Sequence, residues 1–233
     1  MQIKIPYTPR KFQNYLHQRI KDYRWSVLVC HRRFGKTVCM INHLLMAALT
    51  SKVSNPRYAY IAPTFKQAKS IAWDYIKQFT HKIPGVKFNE TELRVDLPNK
   101  ARITLLGSEN CDGLRGIYLD GCVIDEYANV NDRLFPEIIR PALSDRKGFC
   151  IFIGTPQGMN NNFYELFQHA KGADDWFYFK AKASETKVVD QDELTKAKEV
   201  MGENKFKQEF ECDWIANIEG SIYGKTLAKI ENQ

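Results

Sequence analysis

Short unbroken apolar runs alternate along the chain with longer stretches in which apolar positions recur at helical spacing. Four runs are of strand length and rich in β-branched or aromatic residues: Trp25–Cys30 (WSVLVC), Tyr58–Ala62 (YAYIA), Gly121–Ile124 (GCVI) and Phe149–Ile153 (FCIFI). They read as buried strands. A fifth, Trp176–Ala181 (WFYFKA), is expected nearer a sheet edge. The periodic stretches predict helices over Pro9–Lys21, Lys36–Leu49, Lys66–Phe79, Asn162–Ala170 and Asp190–Met201. Strands separated by crossover helices imply an α/β domain with a mainly parallel central sheet flanked by helices. Leu93–Leu106 (LRVDLPNKARITLL) reads differently, because alternating apolar positions flank a Pro-Asn-Lys turn. That pattern predicts a β-hairpin inserted among the crossovers. Ile218–Gln233 has weak periodicity and no apolar run, so it reads as a linker beyond a single domain spanning residues 1–217.

Composition narrows the class. With 233 residues, 44% hydrophobic and 12% aromatic, the chain can bury a core of its own. No apolar run approaches the roughly 18 residues that cross a bilayer, and the N-terminus has no apolar signal core, so a soluble intracellular protein is expected. Cys30, Cys39, Cys111, Cys122, Cys150 and Cys212 form no CxxC pair, and most sit in apolar runs. They are expected as buried, reduced thiols, and the scattered histidines give no zinc-site spacing. Thirty-four basic against 27 acidic residues leave a formal charge of +7, which favours a polyanionic partner without proving one.

Candidate chemistry gathers at three strand ends. After WSVLVC comes Cys30-His31-Arg32-Arg33-Phe34-Gly35-Lys36-Thr37, which fits the phosphate-binding pattern GxxxxGK[ST] except that cysteine holds the first glycine position. Successive backbone N–H groups and a helix N-terminus still make an anion nest there. Lys36 would reach the β- and γ-phosphates, and Thr37 would offer a hydroxyl to Mg²⁺. A helix start with a threonine in its first turn is the plain alternative. Asp125 and Glu126 directly follow GCVI, as in the carboxylate pair that holds a metal's water shell and aims an attacking water. Arg115 lies between Leu114 and Gly116 on a loop; it is either a solvated arginine or a finger that neutralises transition-state charge on a neighbouring subunit's nucleotide. Thr155, in Gly154-Thr155-Pro156, is either part of a simple turn or a hydroxyl that contacts the γ-phosphate.

Taken in order, these residues resemble the N-terminal ATPase domain of the large terminase subunit of tailed bacteriophages, over about residues 5–225. Thr8-Pro9-Arg10-Lys11-Phe12-Gln13 is similar to the family's adenine-binding element, and His31–Thr37 to its phosphate loop, which typically lacks the first glycine and carries arginine. Ala62–Lys69 (APTFKQAK) resembles its helicase-like segment, Leu114-Arg115-Gly116 its finger loop, and Val123–Glu126 its carboxylate strand. Gly154-Thr155-Pro156 matches its coupling motif, and Phe206–Phe210 (FKQEF) resembles the stretch that closes the domain.

The resemblance implies a RecA-like P-loop NTPase that uses ATP and Mg²⁺. It puts Gln13 on the base, with Arg32, Arg33, Phe34, Gly35, Lys36, Thr37 and Thr155 around the nucleotide and Thr37 and Asp125 on the metal. It makes Glu126 the general base, Arg32 the better cis sensor with Arg33 as a second candidate, and Arg115 a finger acting in trans within a homo-oligomeric ring. The implied partners are double-stranded DNA, gripped by its backbone without regard to sequence, the portal protein and the small terminase subunit. The implied setting is the host cytoplasm during capsid assembly, with no membrane. Lys66, Lys69, Lys100 and Arg102 are candidate DNA contacts. The family's full subunit continues into a metal-dependent nuclease; this chain ends before one could begin, so a piece of a longer protein is expected, and no DNA cleavage from it. A superfamily 2 helicase-like translocase is the rival enzyme, and a nucleotide-dependent binding module that does not turn over is the rival of another class.

Overall fold

The computed structural model describes residues 5–216; the expected linker, from residue 218 on, lies outside them. In chain order come helix α1 (Lys11–Ile20), strand β1 (Trp25–Cys30), helix α2 (Lys36–Thr50), strand β2 (Arg57–Ala62), helix α3 (Phe65–Ala68), a π-helical turn (Lys69–Trp73) and helix α4 (Asp74–Thr80). Strands β3 (Lys87–Asn89), β4 (Arg94–Asp96), β5 (Arg102–Gly107) and β6 (Gly121–Ile124) follow. A π-helical segment (Leu134–Ile139) leads into helix α5 (Arg140–Ala142), then strand β7 (Phe149–Gly154), helix α6 (Asn162–Lys171) and strand β8 (Trp176–Ala181). Helices α7 (Ala183–Thr186), α8 (Gln191–Met201) and α9 (Glu203–Phe210) complete the described chain.

All eight strands form one sheet in the order β3-β4-β5-β2-β6-β7-β1-β8. The strands from β5 to β8 run parallel, and only β3 and β4 run antiparallel to their neighbours. Alternate residues of each central strand serve opposite faces. Leu28 of β1 and Ile151 of β7 pack under α1 and α2, whereas Val27 and Phe152 join the cluster that includes Ile139 and Phe163. With both faces covered, a central strand must be apolar at every position, which is why these strands read as unbroken runs. Strand β8 is at the edge, as the sequence predicts, and all six cysteines are free and buried.

Two expectations change. The predicted hairpin exists as β4 and β5, but β5 also pairs in parallel with β2 from Arg57↔Arg102 to Ala62↔Gly107, so it is a full member of the sheet. Alternation is a local signal and is blind to a second partner reached through a crossover. The predicted helix over Lys66–Phe79 is broken by the π-helical turn at Lys69–Trp73. Helical periodicity does not report the insertion of a single residue into one turn.

Behind the sheet, α1 and α2 meet through a histidine pair, with His43 buried and His17 half-buried. The His17 and His43 Nδ1 atoms lie 3.2 Å apart, and His17 Nε2 lies 3.0 Å from the Tyr7 hydroxyl. Burial pulls His17 down to about 4, and burial together with its neighbour pulls His43 down to about 3. Both values lie below the roughly 6.5 of an unfolded histidine, so the neutral pair stabilises the fold above that pH and loses its contribution as pH falls towards about 4. The melting temperature should therefore drop between about pH 6.5 and 4. A His17→Gln, His43→Leu double variant should flatten that slope in a thermal-melt series, and an unchanged slope would acquit the pair.

Candidate functional site

Strands β1, β6 and β7 are neighbours and parallel, so their carboxyl ends open side by side on one edge of the sheet, where ligands of open α/β folds bind. The loop 31–35 leaves β1, Asp125-Glu126 leaves β6 and Thr155 leaves β7. Residues far apart in sequence meet here because the sheet order is not the chain order.

In the β1–α2 loop, Arg33 and Gly35 both adopt left-handed backbone, at φ 72° and 85°. A side chain at Gly35 would be strained, and its Cβ would come 2.9 Å from Gln13 Nε2. The loop is held from two sides. From α1, Gln13 Nε2 donates to the Gly35 carbonyl (3.2 Å) and an Arg10 guanidinium N–H donates to the Phe34 carbonyl (3.3 Å). From α9, the Glu209 carbonyl accepts the Arg32 N–H at 2.7 Å, while the Arg32 guanidinium lies 3.9 Å from the Glu209 carboxylate. His31 must carry its proton on Nδ1, which lies 2.7 Å from the Arg32 carbonyl, and its Nε2 accepts from Thr186 Oγ1 at 2.7 Å.

Lys36 and Thr37 open α2 and face the carboxylates. Lys36 Nζ lies 2.9 Å from Glu126 Oε1 and donates to Thr155 Oγ1 at 3.2 Å. Thr155 in turn donates to the Cys30 carbonyl (3.3 Å). Thr37 Oγ1 donates to Asp125 Oδ2 at 3.1 Å, the Tyr60 hydroxyl donates to the same oxygen, and the Glu126 N–H donates to Asp125 Oδ1 at 2.8 Å. Glu126 is held in left-handed backbone (φ 49°), a sparsely populated region for a non-glycine residue. Burial opposes the Lys36 charge, but the carboxylates of Glu126 and Asp125 outweigh it and hold the ammonium above its ordinary range. Burial lifts the Glu126 carboxyl above the usual carboxylate range, opposed by Lys36 and reinforced by Asp125.

Beside the loop lies a cleft of about 570 Å³, with Gly35–Val38 on one side and Ser70, Ile71, Asp74 and Tyr75 on the other. The volume falls within the range of small-molecule sites. Gln13, by contrast, is only 4% exposed, and its amide is bonded to Gly35 and the Arg10 N–H. Arg115 is about half exposed and bonds Asp112 (3.0 Å) and Glu137 (3.3 Å), the same carboxylates that Arg133 approaches. Among the described residues, no hydrogen bond or ion pair joins it to Lys36, Thr37, Asp125 or Glu126. The four candidate DNA contacts do not form one patch. Lys66 and Lys69 follow the carboxyl end of β2, whereas Lys100 and Arg102 sit at the amino end of β5, where Arg102 pairs with Asp96 (2.6 Å).

Sequence reasoning missed Tyr60, Arg133, Glu209 and the wall formed by Ser70, Ile71, Asp74 and Tyr75. Tyr60 is one of several aromatics in a buried run, and only strand order reveals that its hydroxyl meets Asp125. For Glu209 a signal existed, since it lies in the FKQEF stretch that resembles the end of the family's domain.

Comparison with known proteins agrees with the resemblance. Residues 29–229 match the family described as "Terminase large subunit, T4likevirus-type, N-terminal". The chain is 25% identical over 209 residues to the large terminase subunit of Escherichia phage T5, an alignment covering 86% of this chain and 46% of that protein. It is 31% identical over 126 residues to the large terminase subunit of Thermus virus P23-45, covering 46% of this chain and 26% of the other. It thus spans at most about half the length of these relatives. Among solved structures, the large terminase ATPase domain of Thermus phage P74-26 superposes with a TM-score of 0.77 at 22% identity, covering 90% of this chain and 95% of that one. The large terminase of a thermophilic bacteriophage, in complex with ADP, superposes with a TM-score of 0.76 at 15% identity, covering 88% and 53%. The chain belongs to the terminase large-subunit family, matches the family's N-terminal part, and has the fold of the terminase ATPase domains.

Proposed function

We propose that this chain is the ATP-hydrolysing motor part of a terminase and that it drives double-stranded DNA into a procapsid. The observation that carries the reading is the convergence of Lys36, Thr37, Asp125, Glu126 and Thr155 at three adjacent strand ends beside a nucleotide-sized cleft. Lys36 and the loop's backbone N–H groups bind the phosphates. The Thr37 hydroxyl and Asp125 carboxylate are hard oxygen donors of the kind Mg²⁺ prefers, and they would hold it; when bound, the ion neutralises charge developing on the phosphate oxygens.

Glu126 is the general base that orients the attacking water and takes its proton. With Glu126 paired to Lys36, the base is engaged, and phosphate competing for the ammonium releases it. Arg32, whose guanidinium is largely exposed on the loop, serves as the cis sensor, with Arg33 beside it. Arg115, which among the described residues makes no hydrogen bond or ion pair to Lys36, Thr37, Asp125 or Glu126, completes the site of a neighbouring copy in a ring. Thr155, bridging Lys36 and β1, is placed to feel loss of the γ-phosphate and pass it into β7. The DNA is held through its phosphates, since a packaging motor must ignore sequence. The portal protein and small terminase subunit are the expected assembly partners.

Phosphate release measured with Mg²⁺ and double-stranded DNA tests the reading. The wild-type chain should turn over ATP, slowly as a monomer because the finger comes from a neighbour, and Lys36→Ala should fall to background. Equal rates for the two would sink it.

A further inference from the structure

The expected reader of the base, Gln13, does not line the nucleotide cleft. Its amide nitrogen donates to the Gly35 carbonyl, its oxygen accepts the Arg10 N–H at 2.9 Å, and the side chain is buried behind the loop. One amide N–H holds Gly35, and the oxygen takes the Arg10 N–H and, at 3.5 Å, the Tyr7 hydroxyl, so little of the buried amide is left to read a base edge. A nucleotide still needs an apolar surface for its base, because a purine left in water contributes little to affinity.

The opposite wall supplies one. Ser70 and Ile71 lie in the π-helical turn, Asp74 and Tyr75 open α4, and all four line the cleft with Gly35–Val38. Of the two cleft aromatics, Phe34 is buried at 2% exposure, whereas Tyr75 is 37% exposed. The Tyr75 ring lies nearly parallel to that of Phe79 and offset from it, with centroids 6.4 Å apart and planes 14° apart, and Tyr7 meets Phe79 edge-on at 6.0 Å. A partly exposed ring that lines the cleft and is steadied by aromatic neighbours offers a stacking platform. Such a platform is indifferent to hydrogen-bond pattern, so it binds any base by its face.

We propose that Tyr75 is the platform on which the base of the bound nucleotide stacks, with Gln13 acting as a positioning residue for the phosphate loop. The inference rests on the nucleotide-binding reading above.

The experiment is a calorimetric titration of ADP with Mg²⁺, and separately of inorganic tripolyphosphate, against wild type, Tyr75→Phe, Tyr75→Ala and Tyr75→Leu. Loss of one base–aromatic stack should weaken ADP by about 5- to 150-fold in the Ala and Leu variants. Tyr75→Phe should stay near wild type, and tripolyphosphate, having no base, should bind all four alike. If Tyr75→Ala misfolds and loses both ligands, Tyr75→Leu, which still covers Phe79, decides in its place. ADP affinity in Tyr75→Leu equal to wild type overturns the proposal. Failure of wild type to bind either ligand would instead overturn the nucleotide-binding reading.

Discussion

Replacing Glu126 with glutamine should cut ATP turnover by about 10²–10⁴-fold, the contribution typical of a positioned general base, while nucleotide still binds. The substitution keeps the shape of the side chain and removes only its charge and basicity. Geometry predicts a second effect of opposite sign. In the wild type Glu126 Oε1 holds Lys36 Nζ at 2.9 Å, so an incoming phosphate must compete for the ammonium. A neutral amide competes far less well, and Glu126→Gln should therefore bind ADP more tightly than wild type. Phosphate release and an ADP titration read the two effects separately. Unchanged turnover removes Glu126 from the base role, whereas lost turnover with weakened ADP binding would show that the pair supports the loop instead of blocking it.

Arg115→Ala should lower ATP hydrolysis in the assembled motor by about 10³–10⁵-fold, the usual worth of an arginine finger. The effect should be absent from the basal rate of the isolated monomer, because among the described residues the Arg115 side chain bonds only Asp112 and Glu137. Mixing decides between cis and trans action. A chain lacking Lys36 should not turn over ATP but still carries the finger, so Lys36→Ala should restore some activity to Arg115→Ala in mixed assemblies. Wild-type rates for Arg115→Ala in the assembled motor, or no rescue by mixing, would return Arg115 to a surface salt-bridge role. Losing that cluster of exposed ion pairs should itself cost little stability.

Much of the site was legible in the sequence because its parts are strand ends. A buried strand announces itself by an apolar run, and the residue after it is marked by its polarity. Asp125, Glu126 and Thr155 are read that way, Lys36 and Thr37 come from the Gly-Lys-Thr that opens the next helix, and order along the chain is enough to suggest the family. The helices were legible from period, with ends shifted by a residue or two. Tyr60 and Tyr75 were not. Both are tyrosines among many, one in a strand and one on a helix face, and their partners are reached only across the sheet or around the phosphate loop.

Gln13 marks the same boundary from the other side. The family resemblance puts it on the base, and the fold ties its amide to Gly35. The sequence marks the loop that carries Gly35-Lys36-Thr37, through a glycine free to take left-handed backbone and a helix start at Lys36, while contacts from Gln13, Arg10 and Glu209 hold it in place. What that loop faces was decided by tertiary structure. The order β6-β7-β1 brings Asp125, Glu126 and Thr155 to Lys36, and the packing of α4 beside α2 sets Tyr75 on the cleft wall. Strand order and helix phase are set by the global packing of two apolar faces, which no local pattern encodes.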